Sequence, residues 1–133
     1  MCADEVRIRA LLEDWAAAVR RHDLPAILAH HDPDLVMFDL PPPLQCKGIA
    51  AYEQTWDLLF RYHQPGTGFD FRELAITAGA DVAFAVAILW CGPGASISPK
   101  DKEGFLFRLT VGLRKVDGDW RIVHEHHSVP DAD

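Results

Sequence analysis

Between residues 4 and 22, apolar side chains recur at Ile8, Leu11, Leu12, Trp15 and Val19, one stripe of an amphipathic helix of period 3.6. Asp4 and Glu5 open this stripe and Arg20, Arg21 and His22 close it, each charge at the helix end whose dipole favours it. Asp23-Leu24-Pro25 stops the first helix and caps a second, predicted from Leu24 to His31 and closed by Pro33. Leu35–Asp39 reads as a strand, cut off by Pro41-Pro42-Pro43, which lack the N–H groups a ladder needs. After Gly48, the positions of Ile49, Tyr52, Trp56, Leu59 and Phe60 predict a third helix, stopped at Gln64-Pro65-Gly66.

From Phe69 onward the period changes to two. Phe69–Thr77, Asp81–Cys91, Gly104–Val116 and Trp120–Val129 alternate or run apolar and are rich in Val, Ile, Phe and Trp, which predicts strands. Ala78–Asp81 and Val116–Asp119 are the hairpin turns, the second carrying a strong Asp-Gly signal. Gly92–Lys102, with two Pro and two Gly, reads as a longer loop. Helices gathered ahead of an antiparallel meander, without parallel crossovers, mean an α+β fold. The sheet must curl around the three helices, because they supply the only apolar stripes that can cover it. The result is a cone with a hollow end.

The chain has 133 residues, one domain spanning 1–133, and 49% of its residues are apolar, enough for one core and a pocket. No apolar run approaches the ~18 residues of a membrane span, and the acidic start Met1–Glu5 does not resemble a secretory leader. The formal charge of −7 argues against nucleic acid or anionic membrane as a partner. Cys2, Cys46 and Cys91, odd in number and widely spaced, read as reduced thiols of a cytoplasmic protein and not as a disulfide or zinc framework. What stands out is seven His and four Trp, and these direct the search for a site.

Arg21-His22-Asp23-Leu24 between the first helices, Met37-Phe38-Asp39-Leu40-Pro41 ending the first strand, Gly48 opening the third helix and the hairpin from Asp117 to His124 recur in one order and spacing. Together they resemble the nuclear-transport-factor-2-like superfamily, in its SnoaL-like and ketosteroid-isomerase-like branch, over nearly the whole chain. The resemblance implies a cone-shaped barrel of a curved antiparallel sheet wrapped around three N-terminal helices, usually dimeric through the convex sheet face. It also implies a pocket for a small apolar or aromatic metabolite. Members include isomerases, cyclases, dehydratases, hydrolases and non-catalytic binding modules, so the fold alone does not give the activity.

Asp39 matches the general base of the ketosteroid isomerases, an Asp before a Pro at the end of the first strand. A carboxylate facing an apolar cavity is desolvated, so its pKa rises toward neutrality and it can shuttle a proton. The alternative is a turn-capping Asp ahead of the proline run. The isomerases' oxyanion donors are a first-helix Tyr and a protonated Asp. By alignment their places fall here on Trp15 and on Val111 or Gly112. One donor is lost, so steroid isomerisation itself is not expected.

On the last strand, Val123, Glu125, His127 and Val129 share one face, and Ile122, His124, His126 and Ser128 the other; both faces mix polar and apolar groups. Resemblance to the superfamily's kinase association domains puts Glu125 and His127 in the cavity, where they would form an acid–base relay with Asp39. A structural polar network is the alternative. His124 and His126 would then lie on the dimer-forming face. His22, His30, His31 and His63 read as peripheral, and no metal site or cofactor is expected, since a His-x-His strand lacks evident further ligands. Trp15, Tyr52 and Trp56 on two helix stripes, Val86, Ile88 and Trp90 on one strand face, and Val111 are the expected ligand-binding set. The same residues are also what an ordinary core would use. A proton-transferring enzyme and a non-catalytic ligand-binding or assembly module both remain open.

Overall fold

The computed structural model describes residues 2–92 and 104–131, so most of the loop expected at Gly92–Lys102 lies outside the described residues. Helix α1 spans Ala3–Arg21, with Ile8, Leu12, Trp15 and Val19 buried as the stripe predicts. Its end is set by His22, which turns left-handed at φ 56°. Helix α2 is shorter than expected, Leu24–Leu28, capped by Asp23 Oδ1, which accepts from the Ala26 N–H at 3.2 Å. Ala29 leaves helical geometry and His30 adopts φ 67°. Strand β1 therefore begins at His31 and runs to Phe38, where the pattern placed the end of a helix.

A two-residue strand, β2 at Cys46–Lys47, returns from the proline run and precedes α3 at Ile49–Leu59. Strands β3 (Phe69–Ala78), β4 (Val82–Cys91), β5 (Phe105–Val116) and β6 (Asp119–Ser128) follow. Asp117 and Gly118 both take positive φ, 51° and 83°, the backbone that a two-residue hairpin turn requires.

The strands form one curved, unclosed sheet in the order β2-β1-β6-β5-β4-β3. Neighbours are antiparallel with one exception, since β1 lies parallel to β6. That corrects the expectation of a purely antiparallel sheet: the helical N-terminal half returns the chain so that β1 enters beside β6 in the same direction. Between His31 and Val36 the ladder is irregular, and Pro33, without an N–H to give, sits inside that stretch.

Two register shifts decide which side chains meet the helices. On β3 the shift lies between Phe71 and Glu73. On β6 it lies opposite Gly112 and Leu113, where the pairing steps from His124 to Ile122 and leaves Val123 as the extra residue. A bulge of one residue inverts the alternation beyond it. Trp120 and Ile122 are therefore buried, and so are Glu125 and His127, although the two pairs differ in parity.

Candidate active site at the mouth of the cone

The inner half of β6 brings a carboxylate into the core. Glu125 is 1% exposed, and three donors close on it. His127 Nε2 donates to Oε1 at 2.8 Å, while His31 Nε2 and the Tyr52 hydroxyl both donate to Oε2, at 2.6 and 2.7 Å. Trp15 Nε1–H donates in turn to Tyr52 Oη at 3.1 Å. Three elements thus meet at one side chain, β1 through His31, α3 through Tyr52 and β6 itself, and α1 joins them through the bond from Trp15 to Tyr52.

The electrostatics follow from this arrangement. Burial opposes ionisation of Glu125, but the hydrogen bonds and charges of His127 and His31 outweigh it and hold the carboxyl at about 2. Burial also resists a charged His127, yet the bond and charge of Glu125, with Asp39 adding, raise its pKa above the ordinary value. Burial, then the Glu125 charge, pushes Tyr52 well above the tyrosine range, so its hydroxyl stays a donor. His31 presents its second nitrogen, Nδ1, to the Ala29 carbonyl at 3.2 Å. Both ring nitrogens of His31 thus have a hydrogen-bond partner.

Asp39 stands one residue beyond the end of β1. The parallel register pairs Met37 with Glu125 and Phe38 with His126, and continuing it by one step sets Asp39 alongside His127. Asp39 is half-buried, and its Oδ1 accepts from the N–H of its neighbour Leu40 at 2.8 Å. Its side chain also lines a half-open cleft of about 200 Å³ between the proline loop and α3. Within it the Cys46 thiol is kept protonated, first by burial and then by the charge of Asp39.

The remaining expected residues divide. Trp15, Tyr52, Trp56 and Val111 are buried, and the rings pack on one another edge to face, with Trp15–Trp56 centroids 5.9 Å and Tyr52–Trp56 centroids 6.0 Å apart. The Trp15 N–H is committed to Tyr52 and Val111 has no donor to offer, so neither supplies an oxyanion contact. Val86, Ile88 and Trp90 do not join them. The inward residues of β4 are Ala83, Ala85, Ala87, Leu89 and Cys91, and Val86 on the opposite face is 52% exposed. Three Trp residues therefore do not converge on one end; Trp90 lies under Arg72 on the outer side, 5.6 Å from the guanidinium.

Sequence reasoning overlooked His31 and His63, both read as peripheral and both buried. His31 reaches Glu125 across 94 residues, a contact no local pattern carries. His63 Nε2–H donates to the Gly68 carbonyl at 3.3 Å, which leaves Nδ1 to accept from His22 Nε2–H at 2.8 Å. Among the described residues no three His, Cys, Asp or Glu side chains converge as a metal-binding group.

Comparison with known proteins agrees with this fold. The profile of the SnoaL-like domain family matches residues 8–132. An NTF2-like protein of unknown function from Pseudomonas putida KT2440 is 36% identical, with a TM-score of 0.86 over 98% of this chain and 89% of that one. A ketosteroid isomerase-like protein from Erwinia carotovora atroseptica SCRI1043 shares the fold at 17% identity and a TM-score of 0.76, over 98% of this chain and 100% of the other. A protein of unknown function with a cystatin-like fold from Nostoc punctiforme PCC 73102 does so at 16% identity and a TM-score of 0.79, over 99% and 95%. No curated protein matches this sequence.

Proposed function

This chain belongs to the SnoaL-like domain family, and from that premise we propose that it binds a small apolar or aromatic metabolite and moves a proton on it, in an isomerase-, dehydratase- or hydrolase-type step. What supports this reading is the parallel β1–β6 register, which, continued one residue past Phe38, runs Asp39 toward His127, together with the Asp39 charge that helps raise the His127 pKa. Asp39, half-open to the cleft, is the base. His127 behind it is the neighbouring proton carrier, and Glu125 fixes the ring and favours its charged form. Glu125 is not itself the base, because its oxygens are already occupied by three donors and it lies out of reach of a substrate.

Replacing Asp39 by Asn removes the base and keeps the shape. Turnover of a responding carbonyl or epoxide substrate should fall by roughly 10²–10⁴-fold with ligand binding retained. Unchanged turnover in that variant would sink the assignment. The second reading, a non-catalytic ligand-binding or assembly module, is favoured by the saturation of Glu125, as in a purely structural network; absence of turnover across the whole panel would support it.

The proposal extends to a homodimer. On β4 the larger apolar side chains, Val82, Phe84 and Val86, point outward while alanines point in, and Leu106 of β5 is exposed on the same outer surface. An exposed strand face that carries bulkier apolar side chains than its buried face is what a second copy of the chain would cover. Cys46 and Cys91 are free buried thiols, as expected of a protein kept in the reducing cytoplasm. No helix of the described residues is long and apolar enough to cross a membrane.

A further inference from the structure

We propose that the cleft between the proline loop and α3 is a site for a small amine, a ligand that brings N–H donors or a positive charge to Asp39. This rests on the reading of Asp39 as the group that meets substrate, and adds to it a ligand class. The first observation is charge. The cleft is lined by the prolines 41–43, Gln45, Cys46, Ala51, Gln54, Thr55 and Leu58 together with Asp39, so Asp39 is the one charged side chain among these residues. Cys46 is a neutral thiol. Lys47, the next residue of β2, is exposed where Cys46 is buried, so strand alternation carries its ammonium to the other face. His127 is the basic group behind Asp39 on the interior side, outside the lining. A carboxylate or phosphate entering here would meet the Asp39 charge, and none of the described lining residues is a cation.

The second observation is hydrogen-bonding polarity. Thr55 Oγ1 spends its proton on the Tyr52 carbonyl at 2.6 Å, so its lone pairs remain to accept. Thr55 and Asp39 thus both present acceptors, the amides of Gln45 and Gln54 offer donors and acceptors alike, and a ligand that brings N–H donors satisfies the two oxygens. The prolines, Ala51 and Leu58 supply apolar contact around these groups. The volume, about 200 Å³, lies below the ~300–1,000 Å³ of sites for drug-sized molecules. It suits a ligand of about one ring.

The test is a titration of the full chain, followed by backbone amide shifts in NMR, with benzylamine, benzyl alcohol and benzoate at pH 7 and constant ionic strength. Benzylamine is expected to shift amides of residues 39–46 and 51–58, and to bind about tenfold more tightly than benzyl alcohol, with benzoate the weakest. Asp39→Asn should bring benzylamine down to the level of the alcohol. Benzoate binding as tightly as benzylamine, shifts confined to other residues, an Asp39→Asn variant that keeps its amine preference, or no saturable shift with benzylamine would each overturn the proposal. Its failure is distinguishable from failure of the proton-transfer reading. Asp39-dependent turnover of a carboxylate substrate would end the amine class and keep the base, whereas amine binding without Asp39-dependent turnover would do the reverse.

Discussion

His31 and Glu125, 94 residues apart, are joined by a 2.6 Å hydrogen bond between side chains that are 0% and 1% exposed. The bond ties the first residue of β1 to β6, and it stands at the centre of a network that also anchors α1 and α3. A buried, hydrogen-bonded carboxylate adds little over well-packed apolar groups, but removing one partner leaves the other polar groups stranded. Replacing Glu125 by Gln keeps the shape and strands the donors of His31 and His127. The expected loss is about 3 kcal/mol of unfolding free energy, read by urea denaturation.

Tyr52→Phe isolates a single hydroxyl. It removes one donor from Glu125 and leaves the Trp15 N–H without its acceptor, both in the buried core. The expected cost is about 2 kcal/mol. A loss under 0.5 kcal/mol would mean that the network relaxes around the missing group.

The pH dependence follows from shifts of opposite sign. The lowered Glu125 pKa contributes stability present above its ordinary 4.5 and lost as pH falls toward about 2. The raised His127 contributes stability fully present below the ordinary 6.5 and lost as pH rises through its folded value. Burial lowers His22 and His63, so their contribution is complete above 6.5 and declines as pH falls below it. Two stability differences separate these effects. Wild type minus His127→Gln should shrink above pH 6.5, and wild type minus His63→Asn should shrink below it. The reverse slopes in urea unfolding at stepped pH would contradict the hydrogen bonding described.

Gly104 takes φ 100°, and a Cβ there would lie 2.5 Å from Gly92 Cα and 2.7 Å from the Cys91 carbonyl oxygen. Gly66 also has positive φ, 86°, but a Cβ there meets open space. Gly66→Ala should therefore cost about 1 kcal/mol of backbone strain alone. Gly104→Ala should cost about 3 kcal/mol, since overlap with backbone is added. Equal losses on thermal or urea unfolding would show that the crowding around Gly104 is not real.

Phe84 is half-exposed on the outer face of β4. If a second copy covers this face, Phe84→Glu should convert a particle of twice 14.9 kDa into one of 14.9 kDa by light scattering after gel filtration, with its circular dichroism preserved. A wild-type chain that is already monomeric at micromolar concentration would end the dimer proposal.

The one-dimensional pattern determined a good deal. The stripe through Ile8, Leu12, Trp15 and Val19, the strands flanking Asp117-Gly118 and the helix after Gly48 all depend on neighbours within a turn or a hairpin, and local periodicity reports such neighbours. Resemblance over these pieces carried the family. What only the tertiary structure decided was phase and partnership. The bulge at Val123 puts Ile122 and Glu125 on the same side of the sheet, so an alternation that mixed polar and apolar groups on both faces became a buried network. A bulge is specified by cross-strand pairing, and the strand's own sequence does not announce it. The parallel entry of β1 beside β6 likewise brought His31 to Glu125. On β4 the alanines face the core, which sends Val86 and Trp90 to the outer surface. Hydrophobicity marks which side chains seek cover. Which side of a two-sided strand receives it is set by the elements packed against it, and those arrive from elsewhere in the chain.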